Sequence, residues 1–256
     1  MAMLKITFLG QMGFRIKFAD TVLYVDPFLS PHPKRLFSPP ILVEELNDTD
    51  LFLGTHDHKD HIDRDVWPLY ATASPHSRFV VPELLLRRGL AADLKIPAYR
   101  FSGLTHLQTL SVKGVDITAV ASAHELLDKD EETGLYPYLG YVIKFPEYTI
   151  YHAGDTCRYE GLEAILKKWN FDVMILPING RDATRYAAGC FGNMTYQEAA
   201  DLSGVLKPRV VIPGHYDMFA HNAEDPDHFV EYMRVKYPNQ RVSVMVLGEN
   251  FVIQGG

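Results

Sequence analysis

Cysteine is scarce in this chain. Cys157 and Cys190 are its only two among 256 residues, and they form no C-x-x-C pair. A disulfide framework and a cysteine-based metal site are thereby excluded, and a reducing compartment is the expected setting. No apolar run approaches the ~20 residues needed to cross a bilayer. Positive charge is also short: 25 Lys+Arg stand against 32 Asp+Glu, a formal net charge of −7. Such a surface does not attract phosphate backbones or anionic lipid, so neither a nucleic-acid nor a membrane partner is expected. The opening stretch MAMLKITFLGQMGFRIKF lacks the shape of a signal peptide, since Arg15 and Lys17 follow a short apolar run. It reads as a β-strand, and the expected location is cytoplasmic.

With 47% hydrophobic and 22% charged residues, the chain is neither disordered nor collagen-like, and its length suits one domain over residues 1–256. The first half reads mainly as strands. Leu4–Leu9, Phe14–Phe18 and Thr21–Val25 are β-rich runs parted by turns. Asp26–Pro40 carries five prolines and is expected to be an irregular, rigid loop. Leu51–Leu53 and Arg78–Val81 are further short strands. Leu107–Val112 with Val115–Ala121, and Leu139–Phe145 with Tyr148–Tyr151, read as hairpins. Later segments alternate helix and strand. Leu162, Ile165, Leu166 and Trp169 mark one face of a helix over Glu160–Trp169, and Val173–Leu176 is a buried-type strand. Thr195 and Glu198 form a capping box that opens a helix to Leu206, and Asp225-Pro226 opens another to Lys236. Val210–Ile212, Val242–Leu247 and Phe251–Ile253 complete the strands. The order implies two sheets with helices packed outside them. A plain doubly wound sheet would need helices between the early strands, where the sequence shows no room for them.

Eleven histidines are the one oddity, and their placement is informative. Leu51–Leu53 runs into Gly54-Thr55-His56-Asp57-His58-Lys59-Asp60-His61. Val115–Ala121 runs into His124, Tyr148–Tyr151 into His152 and Asp155, and Val210–Ile212 into His215. Four strands each deliver a His or Asp just past an end, as a sheet protein builds one site from distant segments. Imidazole nitrogen and carboxylate oxygen are ligands suited to Zn²⁺, Mn²⁺ or Fe²⁺.

The series H-x-H-x-D-H, then a lone His, a lone Asp and a final His, resembles the ligand set of the metallo-β-lactamase-fold hydrolases. The likeness runs from about Lys5 to Ile253. It implies an α/β, four-layer αββα sandwich with the site at one edge. It further implies that His56, His58 and His124 hold one divalent metal, that Asp60, His61 and His215 hold a second, and that Asp155 bridges them. Asp26-Pro27-Phe28-Leu29-Ser30, Thr55 to Asp63 and Pro213-Gly214-His215-Tyr216-Asp217 resemble more closely the L-ascorbate-6-phosphate lactonase (UlaG-like) branch. The chain departs from that branch in carrying Pro213-Gly214-His215 where Pro-Phe-His is the tendency. Oligomers in the branch extend to this chain the expectation of a homo-oligomer.

The chemistry implied is attack by a metal-bound hydroxide on an ester or lactone of a small anionic substrate, a phosphorylated sugar lactone first among them. Either one or two ions, Mn²⁺ or Zn²⁺ with Fe²⁺ an alternative, would serve. Asp155 and Asp60 are the catalytic carboxylates, with Asp60 free to act as general base in a one-metal version. No G-x-S-x-G elbow, P-loop or H-E-x-x-H offers a competing mechanism. Asp26 is expected to orient a ligand histidine through its other nitrogen, and Asp57 to brace the ligand loop. Arg181, Arg185 and Asn179, in the loop spanning 177–194, and His152 are the candidates for binding substrate, the arginines through a bidentate fork. His32, His76, His106, His221 and His228 lack ligand spacing and read as surface or turn residues. Two other functions remain open, a phosphodiesterase or nuclease of the same fold and a metal-binding sensor without turnover.

Overall fold

The computed structural model describes residues 2–254. Alternating apolar residues fold the N-terminal segment into an antiparallel meander of β1 (Leu4–Gly10), β2 (Gly13–Phe18) and β3 (Thr21–Val25). The first sheet then continues in parallel through β4 (Leu51–Leu53), β5 (Arg78–Pro82) and β6 (Phe101–Leu104). Parallel strands need crossovers: the long proline-rich loop joins β3 to β4 with only a 3-10 turn at Val43–Leu46, helix α1 (Trp67–Ala73) joins β4 to β5, and α2 (Glu83–Arg87) and α3 (Leu90–Asp93) join β5 to β6. The sequence pattern showed no room for helices here. With seven, five and four residues they are too short to complete two turns and repeat an apolar face, and α2 and α3 are parted by Arg88 and the left-handed Gly89.

The second sheet contains β7 (Thr109–Val112), β8 (Val115–Ala121), β9 (Leu139–Lys144), β10 (Thr149–His152), β11 (Val173–Pro177) and β12 (Val210–Gly214). Around its later strands lie α4 (Leu162–Leu166), α5 (Ala183–Ala187), α6 (Tyr196–Leu206) and α7 (Pro226–Lys236). The capping box of Thr195 and Glu198 is formed, and Asp225 caps α7 with Pro226 in its first turn. Helix α4 is shorter than Glu160–Trp169 because Gly161, at φ +93°, sits immediately before it. Strand β13 (Asn250–Ile253) returns to pair antiparallel with β1. Val242–Leu247 is not a ladder strand; only Val242 bridges to Val211.

Three apolar clusters separate four layers. The largest lies between the sheets, with Phe8, Phe14, Ile16 and Leu53 facing Tyr141, Ile143, Ile150 and Ile212. Phe52 and Phe79 stack on each other between the first sheet and α1, and Tyr70 stacks on Phe52 at 4.9 Å. Phe171, Leu202, Phe229 and Met233 fill the space between the second sheet and α4, α6 and α7. This is the αββα sandwich expected from the sequence. Among the described residues, no helix is long and apolar enough to cross a membrane.

Strand direction places the site. Strands β3 to β6 are parallel, so the residues after β3 and β4 emerge at one edge. Strand β9 is antiparallel to both β8 and β10, which therefore run the same way, and β10, β11 and β12 are parallel. The chain leaves β8, β10 and β12 at a common edge of the second sheet. The two edges are tied by Tyr141, whose buried hydroxyl donates to the Gly54 carbonyl at 2.8 Å. Replacing Tyr141 with Phe strands that carbonyl between the sheets. The expected result is a loss of about 1–3 kcal/mol in denaturant unfolding, with metal stoichiometry unchanged.

Candidate metal centre and cavity

Gly54 and Thr55 carry the chain from β4 into the histidine-rich loop. A Cβ at Gly54 would lie 2.7 Å from Ile62 and 2.8 Å from Trp67, so only glycine lets the loop turn this tightly over the helix. His61 N donates to the His58 carbonyl at 3.0 Å, which closes the loop on itself. His56 Nε2 and His58 Nδ1 are 3.0 Å apart, and His124 Nε2 is 3.3 Å from the same His58 nitrogen. Three imidazole nitrogens thus converge on one point. Beside them His61 Nε2 lies 3.4 Å from Asp155 Oδ1, and His215 Nε2 lies 3.3 Å from Asp155 Oδ2. Asp60 Oδ2 approaches both of these histidines, at 3.7 and 3.9 Å. The Asp155 carboxylate stands between the groups, its Oδ2 being 3.8 Å from His124 Nε2. Asp155 is placed there by Gly154 at φ +59°, where a Cβ would meet the Leu139 carbonyl at 2.7 Å.

The outward nitrogen of each histidine decides what the inward one can do. His61 Nδ1 donates to Asp26 Oδ2 at 2.7 Å, and His124 Nδ1 donates to the Gly192 carbonyl at 3.1 Å. Thr55 Oγ1 donates to Asp26 at 2.7 Å and accepts from His56 Nδ1 at 3.0 Å. These bonds fix tautomers that leave the Nε2 lone pairs of His56, His61 and His124 turned inward. His61 Nε2 and Asp155 Oδ1 are buried without a hydrogen-bond partner. Buried polar atoms left this way are costly unless something completes them, and a mixed nitrogen and oxygen set suits a divalent transition metal. Three groups, His56/His58/His124, His56/His61/Asp155 and Asp60/His61/His215, each have donor atoms within 4.8 Å of one another. The donor set therefore fits one or two such ions.

Burial pushes His56, His58 and His124 below the ordinary imidazole range, and for His56 and His58 the neighbouring histidines add to it. Burial alone would lower His61 and His215 too, but Asp155, with Asp26 and Asp60 beside it, raises His61 well above 6.5. Asp155 and Asp60 likewise raise His215. Burial would raise Asp155, yet His215 and His61 outweigh it and hold the carboxyl well below its usual range. Asp60 is lowered in the same way.

Asp26 lies against His61, with its second oxygen accepting from the Thr55 amide at 2.8 Å. Asp57 grips Arg64 with both oxygens and braces the loop. Gln11, absent from the sequence-based candidates, also reaches the cluster. Its Nε2 donates to Asp60 Oδ2 at 3.0 Å and lies 3.2 Å from His215 Nε2. It sits at φ +58° in the turn between β1 and β2, and its backbone carbonyl accepts from the His215 amide. Only the pairing of distant strands brings it there, so the sequence carries no spacing signal for it.

The substrate-binding candidates are placed elsewhere. The Arg181 guanidinium is taken by both oxygens of Glu198 and by the Asn193 carbonyl, tying its loop to the cap of α6. Arg185 folds back onto Asp182 and the Ala223 carbonyl. Asn179 is fully buried and bonded to Asn222 and Asn193. His152 donates to the Met12 carbonyl at 2.8 Å and accepts from the Gly154 amide, so it holds backbone. None of the four lines the cavity of about 460 Å³ that opens over the donors. His58, Asp60, His124, Asp155 and His215 form its floor, and His32, Lys34, Phe191, Phe219 and His221 stand among its walls. His32 and His221 read from sequence as surface or turn residues; His221 is indeed exposed, in a 3-10 turn, and both also line this cavity, because folding brings their two segments together.

Known proteins share the family and the fold. The family described as Beta-lactamase superfamily domain matches residues 21–216. A UPF0173 metal-dependent hydrolase of Pyrococcus furiosus is 32% identical over 249 residues, covering 97% of this chain and 99% of its own. The chain belongs to the UPF0173 metal-dependent hydrolase family, within the β-lactamase superfamily. Another of its hydrolases, from Caldivirga maquilingensis, is 30% identical over 94% of both chains. A solved metallo hydrolase from Ignicoccus hospitalis superposes with a TM-score of 0.78 at 21% identity, covering 99% of this chain and 100% of that one. That last likeness shows the metallo-β-lactamase fold.

Two outcomes are expected. Asp26→Ala removes the acceptor that orients His61, and metal affinity measured by chelator competition is expected to fall roughly 10–100-fold. In chelated protein, His61 and His215 have folded pKa values above the unfolded 6.5. Their stabilising contribution is complete below that pH and is lost as pH rises through the folded values. The chelated protein's Tm is expected to decline across that window. Metal affinity is expected to rise there, because protons no longer compete for the nitrogens. Thermal melts with and without EDTA at several pH values check both.

Proposed function

We propose that this protein is a metal-dependent hydrolase cleaving an ester or lactone bond of a small anionic substrate. The observation that carries the reading is the convergence of bare imidazole nitrogens and carboxylate oxygens on the floor of a cavity large enough for a small molecule. His56, His58 and His124 would hold one ion, Asp60, His61 and His215 a second, and Asp155 would be shared. A divalent ion so held supplies Lewis acidity toward the scissile carbonyl and brings the pKa of water down toward ~7. Mn²⁺ and Zn²⁺ both suit the donors.

The protein's own residues do the remaining work. Asp26 and the Gly192 carbonyl keep His61 and His124 aimed inward, so no rotamer has to be found during reaction. Gln11 fixes Asp60 by a bond to one oxygen. In a one-metal arrangement the Asp60 carboxylate is positioned to accept a proton from water. Phe191 and Phe219 add apolar surface beside the floor.

A phosphorylated sugar lactone is the leading substrate. The test is proton release after L-ascorbate 6-phosphate is added to Mn²⁺- or Zn²⁺-loaded protein, with chelated protein as blank. Metal-dependent turnover is expected, and Asp155→Asn is expected to lower kcat by roughly 100-fold or more, as losing a charge from the reacting cluster does. Absence of turnover on this lactone and on a panel of simple esters would overturn the reading.

A further inference from the structure

The cavity has a wall that the metal donors do not explain. His32 and Lys34 line it from the proline-rich segment, and Phe219 and His221 line it from the turn after His215. Basic side chains thus face one cavity from two distant segments, beside Lys59 of the ligand loop, which is paired with Asp65, while its acidic lining residues, Asp60 and Asp155, belong to the donor cluster. In a chain of net charge −7 this is a local reversal of sign.

The wall is held in place. Asp63, at the end of the ligand loop, accepts from the amides of Leu29 and Ser30 at 3.1 and 2.8 Å. Arg35 donates to the carbonyls of Phe28 and Phe37, both at 2.8 Å, and the Leu36 amide donates to the Met218 carbonyl. The His32 ring packs edge-on against Phe219 at 5.2 Å, and Phe219 lies 6.0 Å from the His221 ring. Lysine ion pairs fall on Lys59, Lys113, Lys167 and Lys236, and among the described residues Lys34 makes none. Burial, then Lys34 and His32, lowers the His221 pKa, so both basic neighbours bear on His221. An anion among them offsets that effect. The Cys190 thiol also lines the cavity.

We propose that Lys34, His32 and His221 form an anion-binding subsite. It holds a carboxylate or phosphate of the substrate while an apolar or planar body lies against Phe219 and Phe191. An ammonium group supplies a point charge with rotatable donors, and the imidazoles add directional N–H groups. The subsite takes over the role that sequence assigned to Arg181 and Arg185. The inference rests on the hydrolase reading only for placing the scissile bond over the metal donors.

The test uses the metal-loaded full chain, with phenylphosphonate and phenylacetate as probes in titration calorimetry. Lys34→Ala is expected to weaken the better-bound probe roughly tenfold, as loss of one charge-assisted hydrogen bond does, and Lys34→Arg to retain most of it. The tighter probe identifies phosphate or carboxylate as the preferred anion. In parallel, 4-nitrophenyl acetate and its carboxylate-bearing analogue 4-nitrophenyl succinate are hydrolysed by the same variants. A rise in KM confined to the charged ester supports the proposal. Probe binding that is unchanged in Lys34→Ala overturns it, whether or not the esters are cleaved. If neither ester is cleaved but probe binding depends on Lys34, the subsite stands and the ester-hydrolase reading fails.

Discussion

The buried carboxylate of Asp26 accepts from the Thr55 amide, the Thr55 hydroxyl and His61 Nδ1 at once. Much of the site depends on this arrangement. A charge taken out of water is tolerable only when its lone pairs are filled, and these three donors fill them. Its consequence reaches one bond further, because the Thr55 hydroxyl, having given its proton to Asp26, can only accept from His56. One carboxylate thereby sets the tautomers of two histidines and leaves their opposite nitrogens bare. The loop between Gly54 and His61 has little freedom left once both rings are fixed.

The sandwich explains why such a cluster can exist at the edge of a tightly packed core. Each sheet buries its inner face against the other, so polar side chains are accommodated where strands end. Parallel β10, β11 and β12, and β8 running with them, bring several strand ends to one edge. The first sheet contributes Asp26 and the histidine loop from its own parallel strands. Tyr141 joins the two edges, and the β1–β2 turn adds Gln11. The opposing shifts of His61 and Asp155 are the electrostatic sign of the same crowding: in the absence of a cation, protons on histidine balance the carboxylates.

The metal-donor candidates were legible because spacing carries their signal. H-x-H-x-D-H after an apolar strand is too dense a cluster of ligand types to serve packing, and His124, Asp155 and His215 each follow a strand of their own. The meander, the hairpin of β9 and β10, and the capped helices α6 and α7 were legible for a similar reason, since period, turn and cap are local. Helices α1 to α3 were not, being one to two turns long and stabilised by tertiary packing in place of intrinsic periodicity. Val242–Leu247 has strand-like composition, yet only Val242 finds a bridge partner.

The cavity walls show the limit most clearly. Arg181 and Arg185 looked suited to an anion by residue type, but a guanidinium goes to the nearest carboxylate, and Glu198 and Asp182 are supplied close by in the chain. Lys34, His32 and His221 have no spacing relation, and the two histidines read from sequence as surface or turn residues. Their segments meet because the Leu36 amide donates to the Met218 carbonyl and Phe28 and His32 pack against Phe219, while Asp63 and Arg35 hold the proline-rich loop in shape. Sequence alone determined the donor types, the strand ends that carry them and the layered fold, because those follow from local pattern. Tertiary structure decided the direction each lone pair faces, the entry of Gln11 and the sign of the cavity wall, because each depends on which distant groups compete for the same hydrogen bonds and charges.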